Sequence, residues 1–231
     1  MLEVKNLTKT YKRHIVLDDV GFAASSGQCV GIAGHNGSGK STLLSIIART
    51  LRPDTGEVLV DGEPAVSSDL GYVPQANSLL EDLSVGETLS FWQRIYGLSP
   101  ESLYAPSAPA TMLGLEELRK KRVGRLSGGM RKRVSIAIAL LHRPRLLLFD
   151  EALSALDRHY RIELEGYMSD FCRQGGCILY CSHDIRELTA LCERIIVLRQ
   201  GRKIFDDAKS AFPDEPSALD FLLNPDADMG M

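Results

Sequence analysis

One short stretch constrains this chain more than any other. Gly34-His35-Asn36-Gly37-Ser38-Gly39-Lys40-Ser41-Thr42 lies between an apolar run at residues 28–33 and a helix expected over residues 41–51. Glycines let a backbone curl until several N–H groups face one anion, and the helix that follows adds its positive end. A lysine at that helix start can reach further phosphate oxygens, and the hydroxyl beside it can ligate a divalent cation. Gly34, Gly39, Lys40 and Ser41 occupy the places that the phosphate-binding P-loop pattern requires. A plain glycine turn between strand and helix is the bland alternative.

Two further segments suit the same chemistry. Leu146-Leu147-Leu148-Phe149-Asp150-Glu151 reads as an apolar strand that stops at paired acids. In an open α/β sheet such a strand end opens onto the ligand crevice. Asp150 would hold Mg²⁺ through water, and Glu151 would polarise an attacking water. An acidic helix cap is the competing explanation. Leu126-Ser127-Gly128-Gly129-Met130 offers a hydroxyl and bare N–H groups at a second helix start, another anion cradle. One triphosphate has no use for two cradles in one chain, so the second suits a nucleotide held by another copy.

The remaining pattern is of the α/β class. Strands are expected at residues 2–7, 14–22, 57–60 and 70–73, with tight turns between them. The middle turns helical. Ser84-Val85-Gly86-Glu87 has the form of a capping box opening a helix that runs to about Tyr96 and stops at Gly97. Residues 99–110, with three prolines, read as a loop, and a short helix is expected at 111–121. Helices at 128–142, 157–173 and 185–192 then alternate with strands at 145–149, 176–181 and 194–198. That alternation implies a mostly parallel sheet covered by helices. The acidic end, residues 224–231, is expected to fray.

Composition excludes other classes. At 231 residues, 44% hydrophobic and 25% charged, with a net charge of -3, the chain is no disordered, collagen-like or disulfide-stapled sequence. Its longest unbroken apolar stretch, residues 136–141, is far short of a bilayer span, and the first residues lack a signal-peptide pattern. A cytoplasmic location follows as the expectation, with any membrane role exercised through a partner. Five cysteines suggest reduced thiols. Cys177 and Cys181, near Cys172 and His183, could be imagined as metal ligands, but the run around them reads as a buried strand.

Taken together, the P-loop, the LSGG run and the acid pair occur in the order found in ATP-binding cassette ATPases, and from about residue 2 to 205 the chain resembles that family. The resemblance implies a P-loop NTPase core (residues 1–75 and 145–205) with an N-terminal antiparallel β subdomain. It adds an inserted α-helical subdomain (76–144) and a C-terminal extension (206–231). It makes ATP and Mg²⁺ the cofactors. ATP would be held by Tyr11 and Val16 at the adenine and by Gly34, His35, Asn36, Gly37, Ser38, Gly39, Lys40, Ser41 and Thr42 at the phosphates. Gln75 matches the family's Q-loop, which ligates Mg²⁺ with Ser41 and touches the membrane partner. His183 matches the switch histidine at the γ-phosphate, giving Glu151, His183 and Gln75 as the catalytic group. Ser127, Gly128, Gly129 and Asp157, the last in a D-loop-like Ser154-Ala155-Leu156-Asp157, would reach the nucleotide across an ATP-bound dimer with a second copy or a paralogue.

By the same resemblance the chain powers a separate membrane permease and sits peripherally on the inner face of the cell membrane. Residues 82–89, Phe91 and 95–98 are similar to the corresponding region of drug, antibiotic and ABC-2 type exporters. An importer ATPase, a soluble family member acting on ribosomes or nucleic acid, and a binding module that hardly hydrolyses are the other readings. Met130 stands where the family has glutamine, and Ala152-Leu153 where it has Pro-Thr; both could slow turnover. The acid-free stretch 119–133 carries eight basic residues. It suits a solvated helix face, a nucleic-acid patch or charge that offsets a triphosphate at a dimer interface, and with the family in view no nucleic-acid partner is expected.

Overall fold

The computed structural model describes residues 1–76, 78–99 and 102–211. Strands β1 (Leu2–Tyr11) and β2 (His14–Ala24) form an antiparallel hairpin, which β4 (Thr55–Val60) and β5 (Glu63–Pro64) extend to a four-stranded sheet ordered β2-β1-β4-β5. The second sheet has six strands, ordered β10-β9-β3-β8-β7-β6. Its members are β3 (Cys29–Ala33), β6 (Leu70–Val73), β7 (Leu146–Asp150), β8 (Cys177–Cys181), β9 (Arg194–Arg199) and β10 (Arg202–Ala208). All its pairings are parallel except β9 with β10.

Alternation along the central strands divides the core. On β7, Leu146 and Leu148 face a cluster shared with Leu43, Leu44, Leu7 and Val20, so helix α1 (Lys40–Ile47) is packed between the two sheets. Leu147 and Phe149 point the other way, toward α4 (Gly128–Leu140), α5 (Arg158–Arg173) and α6 (Ile185–Leu191). Because β3, β7 and β8 are buried on both faces, each reads as a continuous apolar run. Each fully buried Leu or Phe contributes about 1.5–3 kcal/mol.

The capping box expected at Ser84 is present. Ser84 Oγ accepts from the Glu87 N–H, and Glu87 Oε2 accepts from the Ser84 N–H, opening α2 (Val85–Ile95). Other expectations are corrected. The helix foreseen at 111–121 is only the single turn α3 (Pro109–Met112). Gly114 takes a left-handed φ of 60°, and the chain beyond it reverses. The carbonyls of Arg119 and Lys121 then accept from the Gly86 and Val85 N–H groups, satisfying the start of α2 instead of a helix of their own. Helix α1 stops at Ile47, four residues early, where left-handed Arg49 turns the chain and Ser45 accepts from the Thr50 and Leu51 N–H groups. Strand β10, which pairs with β9 through Ala208, has no counterpart among the sequence expectations. The acidic stretch 224–231 lies outside the described residues. All five cysteines are free thiols, with Cys177 and Cys181 buried inside β8.

Candidate functional site

The site forms where the parallel strands end. Leaving β3, the chain crosses the P-loop and enters α1 at Lys40, with left-handed Gly39 as the N-cap at φ 106°. No side chain fits at its two outer glycines. A Cβ on Gly34 would lie 2.4 Å from the Leu198 carbonyl, and one on Gly39 2.7 Å from that of Val16. Within the loop the Ser38 hydroxyl is buried with no partner among the described residues. Lys40 is only 6% exposed, and its ammonium donates to the carbonyls of Gly34 (2.7 Å) and His35 (3.1 Å). The loop is thus already curled around its own lysine. The His35 ring turns back on the loop, its Nδ1 2.6 Å from the Asn36 carbonyl oxygen.

Beside the loop, β7 delivers the two acids. Asp150 is 2% exposed; burial pushes its carboxyl above the ordinary range, opposed by a hydrogen bond with Ser41 and by the charges of Lys40 and Lys132. Glu151 adopts a left-handed φ of 50°, and its N–H donates to the Cys181 carbonyl at 3.0 Å. A non-glycine residue held in that conformation costs on the order of 1–3 kcal/mol and persists only where its surroundings impose it. The carboxylate is gripped from both sides. Gln75 Nε2 donates to Oε2 at 3.0 Å, and His183 Nδ1 lies 2.7 Å from Oε1, where an N–H on that nitrogen donates. Ser182, next to the histidine, donates to buried Glu187 and accepts from the Asp184 N–H, which fixes the end of β8.

A cleft of about 360 Å³ is bounded by Val16, Asn36, Gly37, Gly39, Lys40, Ser41, Thr42, Gln75, Asp150 and Glu151. It joins most of the residues the sequence singles out. Tyr11 does not line it; the ring is 46% exposed at the β1–β2 turn, with the Lys9 ammonium 5.8 Å from its centroid. A larger cleft of about 800 Å³, between Tyr167, Phe171 and the Leu140–Arg145 side, carries none of these groups.

The second cradle lies apart from this cleft. Ser127 is the exposed N-cap of α4, its Oγ accepting from the Met130 N–H at 3.3 Å. Among the described residues nothing lies within 4 Å of where a Cβ on Gly128 would sit, whereas a Cβ on Gly129 would meet the Ala155 carbonyl at 2.5 Å. Asp157 caps α5 through the Tyr160 N–H at 3.2 Å. Cradle and D-loop-like turn therefore adjoin each other, both outside the cleft of their own chain.

The basic run is not simply a solvated face. Arg133 is buried, donates to the Leu113 carbonyl and stacks 4.0 Å from the centroid of the Tyr160 ring. Lys132, 2% exposed, donates to the carbonyls of Pro74 and Gln75. Arg131 pairs with Glu81. None of the three readings of this run, a solvated face, a nucleic-acid patch or charge offsetting a triphosphate, anticipates a buried Lys132. The signal for it was the apolar continuation of α4 through residues 134–141, which leaves that helix little exposed side.

Comparison with known proteins agrees with this arrangement. The model of the ABC transporter family matches residues 17–154. The Nod factor export ATP-binding protein I of Sinorhizobium fredii (strain NBRC 101917 / NGR234) is 34% identical over 230 residues, covering 96% of this chain and 66% of that protein. The linearmycin resistance ATP-binding protein LnrL of Bacillus subtilis (strain 168) is 33% identical over 211 residues, covering 88% of this chain and 68% of that protein. A solved ATP-binding subunit of an ABC transporter superposes with a TM-score of 0.86 at 27% identity, covering 96% of this chain and 97% of its own. The dimeric cassette MJ0796, in a post-hydrolysis state bound to ADP and Pi, gives a TM-score of 0.81 at 29% identity, covering 90% of this chain and 98% of its own. With the P-loop, the acid pair and the glycine cradle all in place, this chain belongs to the ABC transporter family as one of its ATP-hydrolysing nucleotide-binding cassettes.

Proposed function

We propose that the chain is the motor of an exporter: two nucleotide-binding cassettes, this chain with a second copy or a paralogue, close head to tail on ATP and drive a separate membrane permease. One observation carries the reading. Glu151 is held between Gln75 and His183 at the wall of the P-loop cleft, while the Ser127 cradle is exposed elsewhere on the same chain. A cleft lined by its own carboxylate, with the Ser127 cradle lying elsewhere on the chain, suits completion by a partner's cradle. Export is supported by relatives named for Nod factor export and linearmycin resistance.

In this reading the P-loop amides and Lys40 bind the β- and γ-phosphates, and Tyr11 and Val16 flank the adenine. Glu151 takes the proton of the attacking water. Gln75 and His183 orient its carboxylate, and His183 also meets the γ-phosphate. Ser127, Gly128, Gly129 and Asp157 serve the nucleotide of the opposite copy. The oxygens of Ser41, Gln75 and Asp150 suit Mg²⁺, a hard cation that takes oxygen ligands, and the buried Asp150 carboxyl beside Ser41 is the observation that favours a cation there. When bound, the ion neutralises charge on the transferring phosphate.

The permease would dock on the helical segment between residues 76 and 144, where Leu80, Phe91 and Ile95 are 57%, 44% and 56% exposed. Among the described residues no helix is long and apolar enough to cross a membrane, so attachment to the inner face of the cell membrane would run through that permease. The test is recovery of the tagged chain from detergent-solubilised membranes. A multi-spanning protein in stoichiometric amount is the expected companion; ribosomes, nucleic acid or nothing would overturn the reading.

A further inference from the structure

Lysine is rarely buried without reason, because its ammonium loses hydration that an apolar side chain of similar length never had. Lys132 is 2% exposed on α4, five residues beyond the Ser127 cap. Its ammonium donates to two successive carbonyls, Pro74 at 2.8 Å and Gln75 at 3.0 Å, on the segment where the chain leaves β6. The side chain of that same Gln75 donates to Glu151. The helix that carries the exposed cradle is therefore tied, through one side chain, to the backbone whose amide grips the carboxylate. A second contact runs in parallel, since Gly129 packs against the Ala155 carbonyl on the turn after Glu151.

We infer that Lys132 is a positioning residue: it fixes the Gln75 backbone so that the Gln75 amide reaches Glu151, and so links occupancy of the Ser127 cradle to the geometry of the carboxylate. The inference rests on the proposed role of Glu151 and Gln75. Removing the lysine takes one donor from two carbonyls, a structural cost that the melting temperature registers; a change in kcat at constant KM is what a purely structural role would not produce. What methionine cannot supply is a donor aimed at two carbonyls.

The experiment is a double-mutant cycle on the full chain, with Lys132→Met, Gln75→Ala and the pair, reading kcat and KM for ATP, the melting temperature, and hydrogen exchange of the peptide covering residues 70–76. Gln75→Ala is expected to lower kcat about tenfold. Lys132→Met should lower kcat by a similar factor, with KM within about threefold and the melting temperature within a few degrees of the parent. It should add nothing in the Gln75→Ala background and should quicken exchange at 70–76. Lys132→Arg, which keeps a cationic donor, should recover most of the rate. Should Lys132→Met fail to fold, Lys132→Leu, which also lacks a donor, carries the same comparison. An unchanged kcat, losses that multiply in full, or a fall in rate that follows KM and melting temperature together would overturn the inference. A Gln75→Ala chain that turns over like the parent overturns the reading of the site itself, and with it the link.

Discussion

His183 Nδ1 and Glu151 Oε1 lie 2.7 Å apart although 31 residues separate them in the chain. The sheet register explains the meeting. Strands β7 and β8 pair in parallel with Asp150 opposite Cys181, so the next residues of both strands leave the sheet at one edge. The left-handed turn at Glu151 then swings its carboxylate toward the histidine and toward Gln75, which arrives from β6 on the other side of β7. Three strands in fixed register thus hold one carboxylate between two donors.

Replacing that carboxylate by its amide separates chemistry from binding. Glu151→Gln keeps the shape of the side chain and removes the proton acceptor, so ATP turnover should fall by about 10²–10⁴-fold. ATP affinity should stay within about threefold, and the ATP-bound dimer should become long-lived enough to see by size-exclusion chromatography. Phosphate release at the parental rate would remove Glu151 from the mechanism.

The P-loop glycines differ in what they tolerate. Gly39→Ala places a Cβ 2.7 Å from the Val16 carbonyl and 2.8 Å from Leu17 Cδ2, at φ 106°. It should lower the melting temperature by several degrees and weaken ATP binding at least tenfold. Gly37→Ala meets nothing within 4 Å among the described residues and carries the strain of its φ of 83°, about 1–2 kcal/mol. Calorimetric titration with ATP and a thermal melt on both variants check the order; equal effects would contradict the steric account.

Ser84 tests a cap remote from the nucleotide. Its hydroxyl accepts from the Glu87 N–H at 3.2 Å, and Ser84→Ala leaves that donor to water, costing about 1 kcal/mol. Urea unfolding should register the loss with ATP affinity unaltered. An unchanged midpoint would mean that the carbonyls of Arg119 and Lys121 hold the start of α2 without it.

Burial holds the imidazole of His142 below its ordinary pKa, against the Leu70 carbonyl, which raises it; the ring also stacks on Tyr96 at 4.2 Å between centroids. With the folded value depressed, the unfolded chain binds a proton first, so stability from this group is complete above the ordinary histidine value of 6.5 and is lost as pH falls below it. Melting temperatures between about pH 7.5 and 5.5 should therefore fall less steeply for His142→Phe, which keeps the stack, than for the parent. Parallel slopes would remove His142 as the source.

What the amino-acid order determined by itself was local. The glycines at 34 and 39 announce backbone angles and close approaches that few other residues meet. Ser84 and Glu87 cap one another across three residues, and the apolar runs ending at Ala33, Asp150 and Cys181 read as strands buried on both faces. Each is a demand that a residue places on its neighbours, so it can be read without the fold. Tertiary structure decided what depends on distant partners. Residues 113–121 have helical promise, yet the carbonyls of Arg119 and Lys121 are taken by α2. Lys132 and Arg133 look like surface charge, yet the interior supplies two carbonyls to one, and an aromatic ring and a carbonyl to the other. The grip of Gln75 and His183 on Glu151 exists only because three parallel strands end in register. Hydrogen bonds and burial between residues far apart in the chain are won or lost by which elements pack together, and only the folded chain settles that.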